Sequence, residues 1–243
     1  MNVDFKKKDR YTAEDLKTIV TLLRGENGCP WDRAQDHHSV RNNFIEETYE
    51  AVEALDTENP TLLREELGDV LLQVLLHSEM EKEAGRFSFD DVVNDLAQKL
   101  VFRHPHVFGE VRAENAQDAL NSWDAAKAQE KQQKTGTERL KAVSKSLPAL
   151  MRSQKVLGRA VKAGMEDMTP EQALENLRQE IDGLERLLKK QDAEAVGRKT
   201  GDVLLAGVNV ARTVKVEGEE VLSAACDRFV ERFAAAEAER AEK

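Results

Sequence analysis

Apolar positions recur at helical spacing through most of the chain. A first helix is predicted over 12–24, with Thr12 as its N-cap. The next twelve residues, GENGCPWDRAQD, are rich in turn formers and read as a loop carrying Trp31. Helical periodicity resumes over 40–56, breaks at Asn59-Pro60 and continues over 62–84. Ser88 caps a helix over 89–103 that stops before His104-Pro105, and another spans 116–133. The polar stretch KTGTE at 134–138 is the preferred linker, and helices follow over 147–163, 170–190, 193–214 and from 219 onward.

The chain also matches itself. A shift of 133 residues places Asn43 on Asn176, Glu47 on Glu180, Gly68-Asp69 on Gly201-Asp202 and Val70-Leu71-Leu72 on Val203-Leu204-Leu205, without a gap. Matched residues within matched helices predict two related helical units, 1–133 and 139–243.

The polar positions of the first unit carry its chemistry. Glu47 and Glu50 are three apart, as are Glu66 and Asp69, so each pair shares a helix face. Around 62–84, Leu63, Leu67, Val70, Leu71, Leu72, Val74 and Leu75 take up most of the circumference. Glu66, Asp69, Gln73 and His77 form the narrow remainder. A helix so apolar is expected to be buried, and its polar stripe must face something that compensates it. On the preceding helix Phe44, Thr48, Ala51, Val52 and Leu55 form the expected apolar face, flanked by Glu47 and Glu50, with Glu46 and Glu53 nearer solvent. Two carboxylates 4 Å apart repel by about 4 kcal/mol at an effective dielectric of 20, so a converging set protonates or shares a cation. We therefore assign Glu47, Glu50, Glu66 and Asp69 to a metal site and keep Glu46 as an outer candidate. The alternative is a solvated charged stripe. No histidine follows a glutamate by three residues, which disfavours the Glu-x-x-His pairs of di-iron bundles and leaves an all-oxygen site suited to Mg²⁺, with Mn²⁺ as a substitute.

Lys99 and Arg103, four apart, are able to grip phosphate oxygens or to serve as surface charges. Trp123 and Lys127 repeat that spacing. Trp31 stands open between stacking on a base and anchoring its loop.

Composition narrows the choice. Of 243 residues, 34% are charged and 5% aromatic, with five prolines, which favours solvated helices over strands. A net charge of −10 argues against a nucleic-acid polymer or an anionic membrane as partner. Cys29 and Cys226 match no ligand spacing and read as incidental thiols. With no apolar leader pattern and no long apolar run, the expected location is cytoplasmic.

Taken together, Glu-Glu-x-x-Glu at 46–50, Glu-x-x-Asp at 66–69, the GCPWD loop at 28–32, HPHVF at 104–108 and SLPALMRSQK at 146–155 resemble the MazG family of all-α nucleoside triphosphate pyrophosphohydrolases. The resemblance covers nearly the whole chain. It implies an all-α fold of tandem MazG-like bundles completed by homodimerisation. It also implies Mg²⁺-dependent hydrolysis of (deoxy)nucleoside triphosphates to monophosphate and pyrophosphate, in nucleotide-pool housecleaning. Glu47, Glu50, Glu66 and Asp69 would be the metal ligands, Lys99 and Arg103 would hold phosphates, and Trp123 would contact the nucleoside. Asn43, Lys127 and Trp31 join them as substrate-binding candidates, and Glu46 joins the four ligands as a catalytic candidate.

The second unit departs from that pattern. Where carboxylates are expected it has Gln179, Gly183 and Lys199, and only Glu180 and Asp202 remain. With the second unit slightly shorter there, Arg228 and Arg232 would be the counterparts of Lys99 and Arg103, with no second Trp-x-x-x-Lys. The expectation is a degenerate site in a unit that supplies packing and dimer contacts. On that basis Ala at Glu66 or Asp69 abolishes turnover, whereas Asp202→Ala leaves it nearly intact. The competing readings are a catalytically silent helical interaction protein and a dUTPase-like, deoxynucleotide-specific relative.

Overall fold

The computed structural model describes residues 3–130, 135–190 and 192–241, which are helical with no strand. They form two compact units, Met1–Lys127 and Ala128–Lys243. No helix among the described residues is long and apolar enough to cross a membrane.

The first unit begins with α1 (Ala13–Arg24), where the Asp15 N–H donates to the Thr12 hydroxyl and the Thr12 N–H donates back to the Asp15 carboxylate. The chain then folds over the end of α1, with the Cys29 N–H donating to the Leu23 carbonyl at 2.8 Å. A Cβ on Gly28 would lie 2.2 Å from that same oxygen, so this approach requires glycine. The expected loop contains a short helix, α2 (Pro30–Ala34). Proline reads as a breaker in sequence, but at the first helical position its missing N–H costs nothing. The same device starts α6 (Pro105–Phe108), directly after α5 (Phe89–Arg103). Ser88 and Asp91 cap α5 reciprocally. The unit ends within α7 (Ala116–Glu130), at Lys127; residues 131–133, expected to extend that helix, lie outside the described residues.

Between these lies a helical hairpin, α3 (Arg41–Asp56) and α4 (Pro60–Glu83). Its turn is only Thr57-Glu58-Asn59. Glu58 takes a left-handed φ of 49°, and the Asn59 side chain accepts from the N–H groups of Thr61 and Leu62. Val20 of α1, Val40, and Leu75, Leu76 and Met80 of α4 form the core, joined by Leu16, Leu72 and Phe89. Burial of each such side chain contributes roughly 1.5–3 kcal/mol.

Two expectations about helix faces are corrected here. The buried positions of α3 are Ala51 and Ala54, with Phe44 and Glu47 half-buried on the same side, whereas Val52 and Leu55 are exposed. Phe44, Glu47, Ala51 and Ala54 follow 3–4 spacing, so Glu47 belongs to the inward face instead of flanking it. α4 is not buried all round either. Leu67 and Leu71 are 55% and 38% exposed, on a side that nothing in the unit covers.

The second unit contains α8 (Gly136–Lys141), α9 (Ala149–Lys162), α10 (Pro170–Leu188), α11 (Ala193–Thr213) and α12 (Gly218–Ala241). Thr135 and Glu138 form a capping box on α8, so much of the stretch read as a linker is helical; Lys134 lies outside the described residues. α10 packs along α11, and Gln154 of α9 anchors the turn before α12 through the Val216 carbonyl and the Gly218 N–H. Both cysteines are free thiols.

Candidate metal centre

The short turn after α3 brings its inward face against the polar stripe of α4, and the acidic residues meet there. Carboxylate oxygens of Glu47, Glu66 and Asp69 all lie within 4.8 Å of one another. Glu66 is 8% exposed, Glu47 and Asp69 are half-buried, and Glu50 is exposed beside them. The charge of Glu50 acts on both Glu47 and Glu66, so it stands close to the three carboxylates that converge.

The electrostatics are those of acids crowded together. Burial raises the pKa of Glu47 above the usual carboxylate value, and Asp69 and Glu50 raise it further. Burial likewise lifts Glu66, followed by the charges of Glu50 and Asp69. The charges that weigh on both groups are carboxylates. An acidic cluster that is half withdrawn from water, yet has no internal base to balance it, suits a hard divalent cation, which takes oxygen ligands and completes its shell with water. The donor set and the burial of Glu66 therefore fit such an ion.

Glu46 lies on the outer side of α3, exposed, and Asn43 is half-buried one turn before Glu47. The cationic candidates assemble separately, on α5 and α7. Arg103 is buried with its guanidinium carbon 5.4 Å from the centre of the Trp123 ring, and the Lys127 ammonium lies 4.2 Å from the same centre. Lys99 is half-buried one turn before Arg103. Trp31 is 61% exposed, so it does not anchor its loop by burying its ring.

Below the carboxylates the polar stripe of α4 continues through Gln73 and His77 to Glu81. Gln73 is buried with its side-chain oxygen unpartnered. His77 stacks on His37, their Nδ1 atoms 2.7 Å apart, and His37 Nε2 lies 2.6 Å from the Glu81 carboxylate. His37 went unread in the sequence because its partners lie forty residues away.

The model of the MazG nucleotide pyrophosphohydrolase domain matches residues 35–108. The nucleoside triphosphate pyrophosphohydrolase/pyrophosphatase MazG of Thermotoga maritima is 38% identical over 220 residues, 90% of this chain and 83% of that one. The chain belongs to the MazG family. A nucleoside triphosphate pyrophosphohydrolase of Escherichia coli K12 is also 38% identical, over 90% of this chain and 84% of its own. One from Mycobacterium tuberculosis is 40% identical over 65% of this chain and 48% of its own. The MazG domain match runs from the loop before α3 through α6. It contains the acidic centre, Lys99 and Arg103, and leaves Trp31, Trp123, Lys127 and the second unit outside.

Proposed function

We propose that the chain hydrolyses nucleoside triphosphates, deoxy forms included, to the monophosphate and pyrophosphate, with Mg²⁺ held by Glu47, Glu50, Glu66 and Asp69. The observation that carries this reading is the convergence of Glu47 and Asp69 on the buried Glu66, whose pKa is raised by burial and by the charges of Glu50 and Asp69. Names of relatives that align over most of their own length support the reaction class.

When bound, the cation would neutralise phosphate charge and acidify a water. The chain's own residues do the rest. Lys99 and Arg103 take up the charge that accumulates on departing pyrophosphate. Trp123, backed by Lys127, offers a flat face to the nucleoside, and Asn43 adds a polar contact one turn from Glu47. A carboxylate of the centre accepts the proton of the attacking water, a role for which Glu46, exposed on the outer side of α3, is badly placed. One water is consumed for each α–β anhydride broken, its oxygen ending on one phosphoryl group and its proton released after transfer through the carboxylate.

The functional unit is a homodimer acting in the cytoplasm. Ile45, Tyr49 and Val52 follow one another at helical spacing on the exposed side of α3, with Leu67 and Leu71 exposed on α4. An apolar surface of that kind, beside a site made from the same two helices, suits a second copy.

Pyrophosphate release from the eight common NTPs and dNTPs, with Mg²⁺ or with chelator, tests the reading. Release that requires the metal and disappears in Glu66→Ala is expected. No release from any of the eight, nor from dUTP, would favour a silent interaction protein. Release from a deoxypyrimidine alone would favour the dUTPase-like reading.

A further inference from the structure

In the second unit the helix pair α10 and α11 carries a basic residue among its acidic ones. Lys199 of α11 reaches across to α10, where its ammonium pairs with the Glu180 carboxylate, and it lies 4.0 Å from a carboxylate oxygen of Asp202 one turn along α11. Under the 133-residue shift Glu180 falls on Glu47, Asp202 on Asp69 and Lys199 on Glu66. The fourth position, Gly183, falls on Glu50. Gly183 is buried in the middle of α10, where glycine is a poor helix former and its backbone needs no special conformation. Its surroundings give the reason for its presence. A Cβ built there would lie 2.5 Å from Cε of Lys199 and 3.2 Å from its ammonium. The lysine stem occupies the volume that a side chain at 183 would take.

The geometry points to Lys199 as a built-in cation: its tethered ammonium takes, between Glu180 and Asp202, the place that a divalent ion would take in the first unit, and Gly183 leaves room for its stem. This rests on the proposed metal centre of the first unit. The two positions therefore meet. A lysine at 199 supplies one positive charge permanently, and a side chain at 183 would displace its stem from the path it takes. The second unit becomes independent of metal for its fold and is closed to metal as a ligand. Removing the lysine charge should reopen it, because a carboxylate at 199 beside Glu180 and Asp202 reproduces the trio that converges in the first unit.

The test counts Mn²⁺ bound by the full chain, read from the loss of the free-ion paramagnetic signal. E66A/D69A should lose the ion bound by the unsubstituted chain. Adding K199E to that background should restore about one Mn²⁺ per chain, with carboxylates and water as its ligands. The thermal midpoint of the same variant should fall in chelator and recover with Mn²⁺, which a purely packing role for Lys199 would not produce. G183E/K199E in that background supplies the fourth carboxylate and should bind more tightly still. Mn²⁺ retained by E66A/D69A and lost on Asp202→Ala would overturn the proposal, because the lysine would then not exclude the ion. So would K199E and G183E/K199E chains that are helical by circular dichroism yet bind nothing. An unsubstituted chain without affinity for Mn²⁺, together with a site gained in K199E, would instead sink the first-unit reading and leave standing only the exclusion of the ion by Lys199.

Discussion

Arg24 grips both carboxylate oxygens of Glu83, Nε to Oε1 and Nη2 to Oε2, each at 2.8 Å. Its remaining nitrogen donates to the carbonyls of Asp32 and Gln35, at 2.6 and 3.2 Å. One guanidinium thus ties the end of α1, the α2 segment and the end of α4 together, with only 6% of its side chain exposed. Arg24→Ala leaves two carbonyls and a carboxylate without their donor. We expect a loss of roughly 2–3 kcal/mol in denaturant unfolding, set by stranded acceptors at ~1–3 kcal/mol each. Arg24→Lys should recover little, because a single ammonium cannot reproduce the planar fork.

Glu66→Gln separates catalysis from stability. Turnover should fall by at least ~100-fold, beyond the ~10–100-fold typical of residues that only orient a metal ligand. In chelator the same variant should be more stable than the unsubstituted chain. The sign follows from the raised pKa of Glu66, which burial causes first and the neighbouring carboxylates second. Its ionised form is a cost to the fold at neutral pH, and that cost disappears below the ordinary value. Mg²⁺ should then raise the melting midpoint of the unsubstituted chain and leave that of Glu66→Gln nearly unmoved. A variant less stable than the parent in chelator would contradict the crowding of charge at this centre.

Acid should weaken the far end of the same stripe. A hydrogen bond from Arg86 first, and from His37 next, pulls Glu81 down to about 2 from an ordinary 4.5. A depressed carboxylate contributes stability that is complete above about 4.5 and lost as pH falls through about 2. His77 is lowered from 6.5 by burial and then by His37, so the unfolded chain binds its proton more readily and stability declines as pH drops below 6.5. Glu47 and Glu66, both raised, oppose this trend by taking up protons in the fold. Melting midpoints in chelator across the acid range should show Glu81→Gln less stable than its parent above 4.5, with the gap closing below it.

Leu67→Lys should yield a monomer by light scattering while helicity is retained. Leu67 is more than half exposed, so the single unit loses little packing. A dimer that survives both this change and Tyr49→Lys would place the contact elsewhere.

Much of this was legible in the residues. The boundaries of α5 follow from Ser88 and His104-Pro105, the start of α1 from Thr12, and the acidic centre from two three-residue spacings. Proline hid two short helices, at Pro30 and at Pro105, because a breaker and a first helical residue look alike until the fold is known, although Pro105 also marked the end of α5. The facing of α3 and α4 was misread for a different reason. Val52, Leu55, Leu67 and Leu71 carry the same apolar signal whether they meet their own core or another molecule, and periodicity does not distinguish the two. The stacked His37 and His77, like the grip of Arg24 on Glu83, join positions far apart in the chain, which local pattern does not see.

Ala51 and Ala54 bring a last consequence. Two methyl groups are what α3 presents at its most buried points, and helices in contact through such small groups draw close together. The separation of the opposing acids, and with it the size of any cation they would hold, would then depend on alanines outside the acidic cluster. Bulkier residues there would widen the gap and favour larger ions such as calcium, with every ligand left as it is.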